Sequence, residues 1–390
     1  MTLTSKQTDK QYIANTYGRF DIELVSGKGS LVYDENGKEY IDLATGIAVN
    51  TLGVADEGWV NAVTEQAKKI QHTSNLYYSK PCIDLAEKLC ARAGAKKVFF
   101  SNSGAEANEC AIKVARKWAQ DKKGAGDYSI VTLRNSFHGR TVTTLSATGQ
   151  DVFHKDFNPF TQGFLFPEHN TLDEIEKLVQ RDPCAAIMLE LVQGEGGVTA
   201  LDQAFVDGIK TLCEKENLLL IIDEVQTGNG RSGALYAFQR YGVSPDIVST
   251  AKGLAGGLPM GATMLFEKTE NTLGAGSHGS TFGGNPVAAA AANYVLDTLD
   301  DAMLESVRKK SEYIFNELTG AAGVKNVSGL GLMIGVETEK PVDEVLKKCF
   351  EKGILPIKAK QKIRLLPALN IPMPLLEKAV QILKDCIKGE

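Results

Sequence analysis

Metal and disulfide spacings are missing from this chain. Its seven cysteines, Cys82, Cys90, Cys110, Cys184, Cys213, Cys349 and Cys386, form no C-x-x-C pair, and its five histidines form no H-E-x-x-H. An odd number of cysteines in apolar or helical surroundings predicts buried free thiols, not a disulfide frame or a zinc site. Positive charge is not in excess either. With 43 Lys and Arg against 48 Asp and Glu, the net charge is −5, which gives no electrostatic ground for a nucleic-acid partner. No apolar run approaches the roughly 20 residues that a membrane helix needs. The opening MTLTSKQTDKQYIANTYGRF has no apolar signal core, so a cytoplasmic protein is the expectation. No Walker phosphate loop is present. What remains is an ordinary globular composition, 43% hydrophobic and 23% charged over 390 residues, enough for two substructures or one large α/β unit.

Residues 1–30 read as an irregular arm. GSLVYDENGKEYIDLAT predicts two short strands around the Glu35-Asn36-Gly37 turn. From about residue 60, helical stretches (82–93, 104–120, 171–180, 203–216) alternate with short apolar runs (KKVFFS, YSIVTLR, AAIMLEL, NLLLIIDEV, DIVSTA). Such runs between helices predict a mostly parallel sheet covered on both faces. Pro286 starts an alanine-rich helix, and beyond it come a strand at GLMIGVE, a helix at 341–352, a strand at KIRLLP and a helix at 374–388. The expected organisation is an arm and strands at 1–60 that contribute to a small domain, a large domain at 61–300, and a small α/β domain at 301–390.

Ligands of open parallel sheets collect at the carboxyl ends of the strands. In LLLIIDEVQTGNGRSG the apolar run ends in Asp223 and Glu224. Asp223 either caps a loop or faces a cation, while Glu224 points the other way and reads as structural. The glycines Gly228, Gly230 and Gly233 match G-x-G-x-x-G, but they stand too far from the strand and behind two acids. A turn-rich loop is favoured over a nucleotide site. Ser103 and Glu106 predict a capping box, after which Gly104 and Ala105 offer bare N–H groups to an anion; an ordinary capped helix is the plain alternative. Phe137 and His138 follow a strand and could stack on a planar ring, with Arg140 free to hold a carboxylate. A core Phe beside a surface Arg explains them equally well. Lys252 follows the strand DIVSTA and precedes a glycine-rich loop. Most such lysines are solvated, but a partly buried one is a nucleophile towards carbonyls. Ser280 and Thr281 lie between glycines in what reads as an exposed loop, with a phosphate contact as the alternative.

Pyridoxal 5′-phosphate chemistry uses all of these together: a lysine for the aldehyde, an acid for the ring nitrogen, a helix N-terminus for the phosphate and a flat neighbour for the ring. The motifs NSGAEANE (102–109), SFHGRT (136–141), ELVQGEGG (190–197), IIDEVQTGNGRSG (221–233), TAKGLAGGLPMGA (250–262) and HGSTFGGNP (278–286) make the chain resemble the class III aminotransferases, pyridoxal-phosphate enzymes of fold type I. The resemblance runs along essentially the whole sequence. It implies that Lys252 is the Schiff-base lysine, Asp223 pairs with the pyridine nitrogen and Gln226 lies near the 3′ oxygen. It also implies that Ser103, Gly104 and Ala105 receive the phosphate, and that Phe137 stacks on the ring with His138 beside it. Thr281 would reach the phosphate of a neighbouring subunit, making the active sites of a homodimer shared. Arg140 and Ser280 would contact the amino donor. Arg364 would bind the α-carboxylate of glutamate or 2-oxoglutarate, and Glu195 would pair with Arg364 otherwise. The implied reaction moves the terminal amine of N2-acetyl-L-ornithine to 2-oxoglutarate, as in arginine biosynthesis. Ornithine, succinylornithine and 4-aminobutyrate are alternative donors, with Asn75, Tyr77 and Tyr78 bearing on the choice. One stretch departs from the class pattern. Leu52-Gly-Val-Ala-Asp-Glu-Gly-Trp59 replaces L-G-H-x-H-P, which puts local packing and donor preference in question.

Overall fold

The structure, a computed structural model, describes residues 4–126 and 128–389. A seven-stranded sheet forms its centre: β1 (Lys97–Ser101), β2 (Ser129–Thr132), β3 (Phe164–Leu165), β4 (Cys184–Leu189), β5 (Leu219–Asp223), β6 (Ile247–Thr250) and β7 (Gly261–Leu265). The order across the sheet is β1-β7-β6-β5-β4-β2-β3. All neighbours are parallel except β7, which runs against both β6 and β1. The mostly parallel sheet expected from the alternation of apolar runs and helices is therefore present. The strand β7 was not expected. Its five residues follow a Gly- and Pro-rich stretch whose turn signals hide the short run GATML.

Both faces of the sheet are covered. Leu219 and Ile221 lie in one apolar cluster with Ile112, Ala115 and Trp118 of the helix Gly104–Lys123. Leu220 and Ile222 point the other way, into the larger cluster with Phe238 and Ile209. This alternation continues through the strand end and decides the fate of its two acids. Asp223 falls on the side of the helix Gly104–Lys123 and Glu224 on the opposite side. Glu224 is fully buried and accepts from Phe238 N at 2.7 Å and from Thr227 Oγ1 at 2.5 Å, so it ties the strand end to the loop that follows.

Besides a two-stranded ribbon of Val192–Gln193 and Thr199–Ala200, two four-stranded sheets accompany this centre. Leu24–Lys28, Leu31–Asp34 and Glu39–Asp42 form a meander, to which Ile354–Leu355 adds a parallel strand. Val324–Leu330, Met333–Thr338, Lys362–Leu365 and Ile357–Ala359 form the other. The turn at Glu35–Gly37 forms as expected, with Gly37 at φ 78°. The arm is more ordered than its composition suggests. Thr4 caps a helix, Ser5–Tyr12, in a reciprocal box with Gln7, a T-x-x-Q signal that the sequence carries openly. Residues 1–3 of the expected arm lie outside the described residues. The seven cysteines are free thiols, five of them buried.

Burial pushes the Glu224 carboxyl up to about 7 from an ordinary 4.5. The folded chain then binds this proton more tightly than the unfolded chain. The stabilisation is complete below the ordinary value and is lost as pH rises through about 7. A glutamine keeps both hydrogen bonds without the ionisation. Urea unfolding of Glu224→Gln and the parent at pH 5 and pH 8 should show the difference moving by about 2 kcal/mol in the variant's favour at the higher pH. A difference that stays constant would remove Glu224 as the titrating group.

Candidate active site

β5 and β6 pair in parallel with Asp223 opposite Ser249, so both strands end at the same edge of the sheet. Lys252 stands three residues beyond Ser249. Above this edge lies a cavity of about 240 Å³ lined by Gly104, Ala105, Asn108, Phe137, His138, Gly139, Arg140, Glu190, Asp223, Val225, Gln226 and Lys252. Eight residues singled out in the sequence thus meet in one space: Gly104, Ala105, Phe137, His138, Arg140, Asp223, Gln226 and Lys252.

The acid end is rigid. Asp223 Oδ2 accepts from Asn108 Nδ2 at 2.8 Å and lies 2.8 Å from His138 Nδ1, while Oδ1 accepts from Val225 N at 2.9 Å. Asn108 also donates to the His138 carbonyl, so helix, histidine and strand end form one network. The helix start is tight as well. A Cβ at Gly104 would sit 2.7 Å from Val225 Cγ1, so only glycine lets the helix N-terminus approach the strand end this closely. Ser103 Oγ accepts from Glu106 N at 3.2 Å, but the reciprocal half of the expected capping box is absent. The Glu106 carboxylate instead takes Asn102 N, Asn102 Nδ2 and the Ser103 hydroxyl. The backbone N–H groups of Gly104 and Ala105 remain without a hydrogen bond among the described residues.

Lys252 is half-buried and its Nζ makes no hydrogen bond to any described residue. Loss of solvent lowers its pKa below the ordinary lysine value. Glu195 and Asp223 pull it back, and Arg364 pushes the same way as burial. Arg364 and Glu195 are not lining residues: the buried Arg364 donates to Glu195 Oε1 at 2.5 Å and is joined to the cavity through Gln226, to whose Oε1 it donates at 3.1 Å. Burial disfavours an ionised Glu195, but the Arg364 charge and hydrogen bond outweigh it and lower its pKa. Arg140 is exposed at the mouth, its guanidinium carbon 4.1 Å from the Phe153 ring centroid and 5.4 Å from that of Phe137.

Ser280 and Thr281 do not line this cavity. Ser280 Oγ accepts from Asn102 Nδ2 at 3.1 Å and from Gly283 N at 3.0 Å, which fastens its loop beside the helix start. Thr281 is exposed and lines a neighbouring cleft with His72, Asn75, Tyr77 and Tyr78. Four lining residues escaped the sequence reading, Gly139 and Val225 and, with side chains that carry chemistry, Asn108 and Glu190. Asn108 stands one turn after Gly104 on the same helix face. Glu190 is an acid closing a buried strand, the same signal that exposed Asp223, and it accepts from Phe137 N at 2.9 Å and Gly194 N at 3.4 Å. Burial, then the neighbouring Asp223 carboxylate, keep the Glu190 proton in place well above the usual range.

The model of the family described as aminotransferase class III matches residues 12–387. The chain belongs to the class III aminotransferases. This aminotransferase is 50% identical over 384 residues to an acetylornithine aminotransferase of Haemophilus ducreyi, with 98% of each chain covered. It overlays the N-acetylornithine aminotransferase of Stenotrophomonas maltophilia with a TM-score of 0.85 at 34% identity, covering 97% of both chains. It also overlays an ornithine aminotransferase of Toxoplasma gondii with a TM-score of 0.93 at 30% identity, covering 99% of this chain and 95% of the other. That parasite structure carries pyridoxal phosphate at partial occupancy in its active site. The aminotransferase described here is a pyridoxal-phosphate-dependent transaminase of fold type I. The lining fits the cofactor: unbonded N–H groups suit an anion, a held carboxylate suits a cation, and an amine of lowered pKa shares the same cavity.

The two buried carboxyls of the cavity should answer unequally to amide substitution. Burial favours the protonated form of Glu190, so Glu190→Gln should cost only about the hydrogen bond that its NH2 group cannot accept, about tenfold in turnover at most at neutral pH. Asp223→Asn should lower it by about 10²-fold or more, because a preorganised charge is removed. Steady-state turnover measures both, and equal losses would contradict the assignment of charge.

Proposed function

We propose that this transaminase moves the terminal amine of N2-acetyl-L-ornithine to 2-oxoglutarate, giving N-acetyl-L-glutamate 5-semialdehyde and L-glutamate, a step of arginine biosynthesis in the cytoplasm. The observation that carries the reading is the convergence of Lys252 and Asp223, from the ends of neighbouring strands, on one cavity with the helix N-terminus at Gly104. The names of the relatives support the donor.

In this reading Gly104 and Ala105 N–H groups, with Ser103, receive the cofactor phosphate, joined by Thr281 of a second copy. Phe137 covers the ring. Asp223, held by Asn108 and His138, faces the ring nitrogen, and Gln226 lies towards the 3′ oxygen. When bound, the cofactor supplies an electrophilic carbon for the amine and a ring that takes up the electron pair left by proton removal. Lys252 Nζ, neutral more readily than an ordinary lysine, takes the proton from the substrate carbon and returns it one step along. Arg140, with no ion pair to a described residue, grips the α-carboxylate of the acetylated donor, with Ser280 near it. Arg364 binds the α-carboxylate of 2-oxoglutarate or glutamate when Glu195 releases it, so one site serves two differently charged substrates.

The same reading makes the working unit a homodimer with shared sites. Leu76, Tyr77, Tyr78 and Phe282 are 87%, 74%, 95% and 60% exposed beside the Thr281 loop, an apolar surface that a second copy would cover. It divides the chain into a large cofactor-binding domain at 61–300 and a small domain at 301–390, to which 1–60 contribute strands. A nucleotide site at Gly228–Gly233 has no support. A Cβ at Gly230 would meet Leu369 at 2.8 Å and one at Gly233 would meet Arg308 at 2.8 Å, so the loop is packed and offers no cradle.

Half-reaction spectroscopy tests the donor. Acetylornithine should convert the cofactor to its amine form faster than ornithine, succinylornithine or 4-aminobutyrate, and preference for another amine would replace the proposal. Arg140→Ala should raise KM for acetylornithine about tenfold or more with little change for glutamate; the reverse pattern would reassign the arginine. Borohydride treatment of the holoenzyme followed by digestion should leave the cofactor on the peptide carrying Lys252. A label on another lysine would end its candidacy.

A further inference from the structure

Lys252 has a left-handed backbone, φ 45°. A residue with a Cβ keeps that conformation only where its surroundings impose it. Here the imposition comes from three side chains on three separate segments. Asn229 Nδ2 donates to the Ala251 carbonyl at 3.0 Å and to Thr250 Oγ1 at 3.1 Å. Thr51 Oγ1 donates to the Gly253 carbonyl at 2.8 Å. Trp59 Nε1 donates to the Ala255 carbonyl at 2.9 Å. Alternate carbonyls of the short turn Lys252–Ala255 and the residue before it are thus fastened from outside. The fit is close: a Cβ at Gly253 would lie 2.5 Å from Thr51 Oγ1, and one at Gly256 3.0 Å from Trp59 Nε1.

None of the three side chains lines the cofactor cavity. Asn229 belongs to the closely packed glycine-rich loop Gly228–Gly233. Thr51 and Trp59 flank or end the stretch that departs from the class pattern. Asp56 caps the helix Glu57–Ala67 by accepting from Trp59 N, which sets the indole against the turn.

We propose that Trp59, Thr51 and Asn229 are positioning residues for Lys252: they hold its turn so that Nζ, on a flexible four-carbon stem, stays within reach of both atoms between which it carries a proton. The inference rests on the role given to Lys252 above. A proton shuttle is sensitive to displacement, and a shift of about 1 Å can cost about 10²-fold in rate.

Trp59→Phe keeps the ring and removes the N–H. Thr51→Val keeps the shape and removes the hydroxyl, and Thr51→Ser restores the donor. In the purified holoenzyme, deuterium exchange at the amides of Leu254 and Gly256 should rise about fivefold in Trp59→Phe and Thr51→Val, with β5 and β6 unchanged. The saturating rate of the half-reaction with glutamate should fall about tenfold while its KM stays within about twofold, and Thr51→Ser should bring both readings back towards the parent. Unchanged exchange would overturn the proposal. So would faster exchange with an unchanged rate, or exchange that rises through the whole molecule. The exchange reading does not depend on chemistry, so a failure of the Lys252 assignment itself would appear separately, as cofactor fixed by borohydride to a different lysine.

Discussion

The in-register parallel pairing of β5 with β6 is the constraint on which the rest depends. Parallel neighbours about 4.8 Å apart end at one edge, so an acid closing the first strand and a lysine just past the second come together without any long-range loop to specify. Register also selects which acid serves. Asp223 shares a face with Leu219 and Ile221, under the helix that supplies Asn108 and the phosphate-facing N–H groups. Glu224 shares the other with Leu220 and Ile222. Reversing the faces of this strand end would exchange the two carboxylates, and a site built around Asn108 and His138 would meet an apolar cluster's anchor instead.

Glu190, Asp223 and Lys252 line one small space, and Glu195 and Arg364 are joined to it through Gln226; leaving any of these ionisable groups charged and alone would cost several kcal/mol. Each has a separate resolution. Glu195 and Arg364 neutralise one another; Arg364 is buried, and only the half-buried Glu195 has the exposure to swing away. Glu190 keeps its proton and spends its oxygens on the N–H groups of Phe137 and Gly194. Lys252 gives up its proton more readily. Asp223 is held by donors on three elements, with the cavity in front of it. The arrangement offers Asp223 to a cation and the Gly104 N–H to an anion within one cavity, which is the polarity of the cofactor.

Much of this was legible in the sequence because parallel sheets write themselves plainly. The runs Cys184–Leu189 and 218–222 are apolar without alternation, and the ends of these strands and of the shorter Ile247–Thr250 mark the site. What escaped had physical reasons. Strand β7 is five residues behind a Gly-Pro stretch, where turn chemistry speaks louder than β propensity. The Ser103–Glu106 box is incomplete because Asn102 competes for the same carboxylate. Glu190 carries the same strand-end signal as Asp223, but its role is to satisfy backbone donors of two loops, which only the packed chain reveals. Ser280 and Thr281 fall outside the single-chain cavity because their loop faces outward, towards a surface rich in exposed apolar side chains.

The departure at Leu52–Trp59 and the glycine-rich loop at Gly228–Gly233 looked like unrelated oddities, and they meet at the same turn. A lysine that must reach two atoms cannot be held by contacts to its own amine, because those contacts would compete with the reaction. The constraint has to act on the backbone instead, through carbonyls that take no part in chemistry. Strain at Lys252 is then met during folding, by donors already paid out in a packed wall, and does not have to be met again in each turnover. The indole of Trp59 does this from a half-buried position against Gly256 and Gly257, two residues whose lack of a side chain makes room for it. A segment can therefore lose the residues common to its class and still serve the same lysine, provided that a donor reaches the Ala255 carbonyl from the same side.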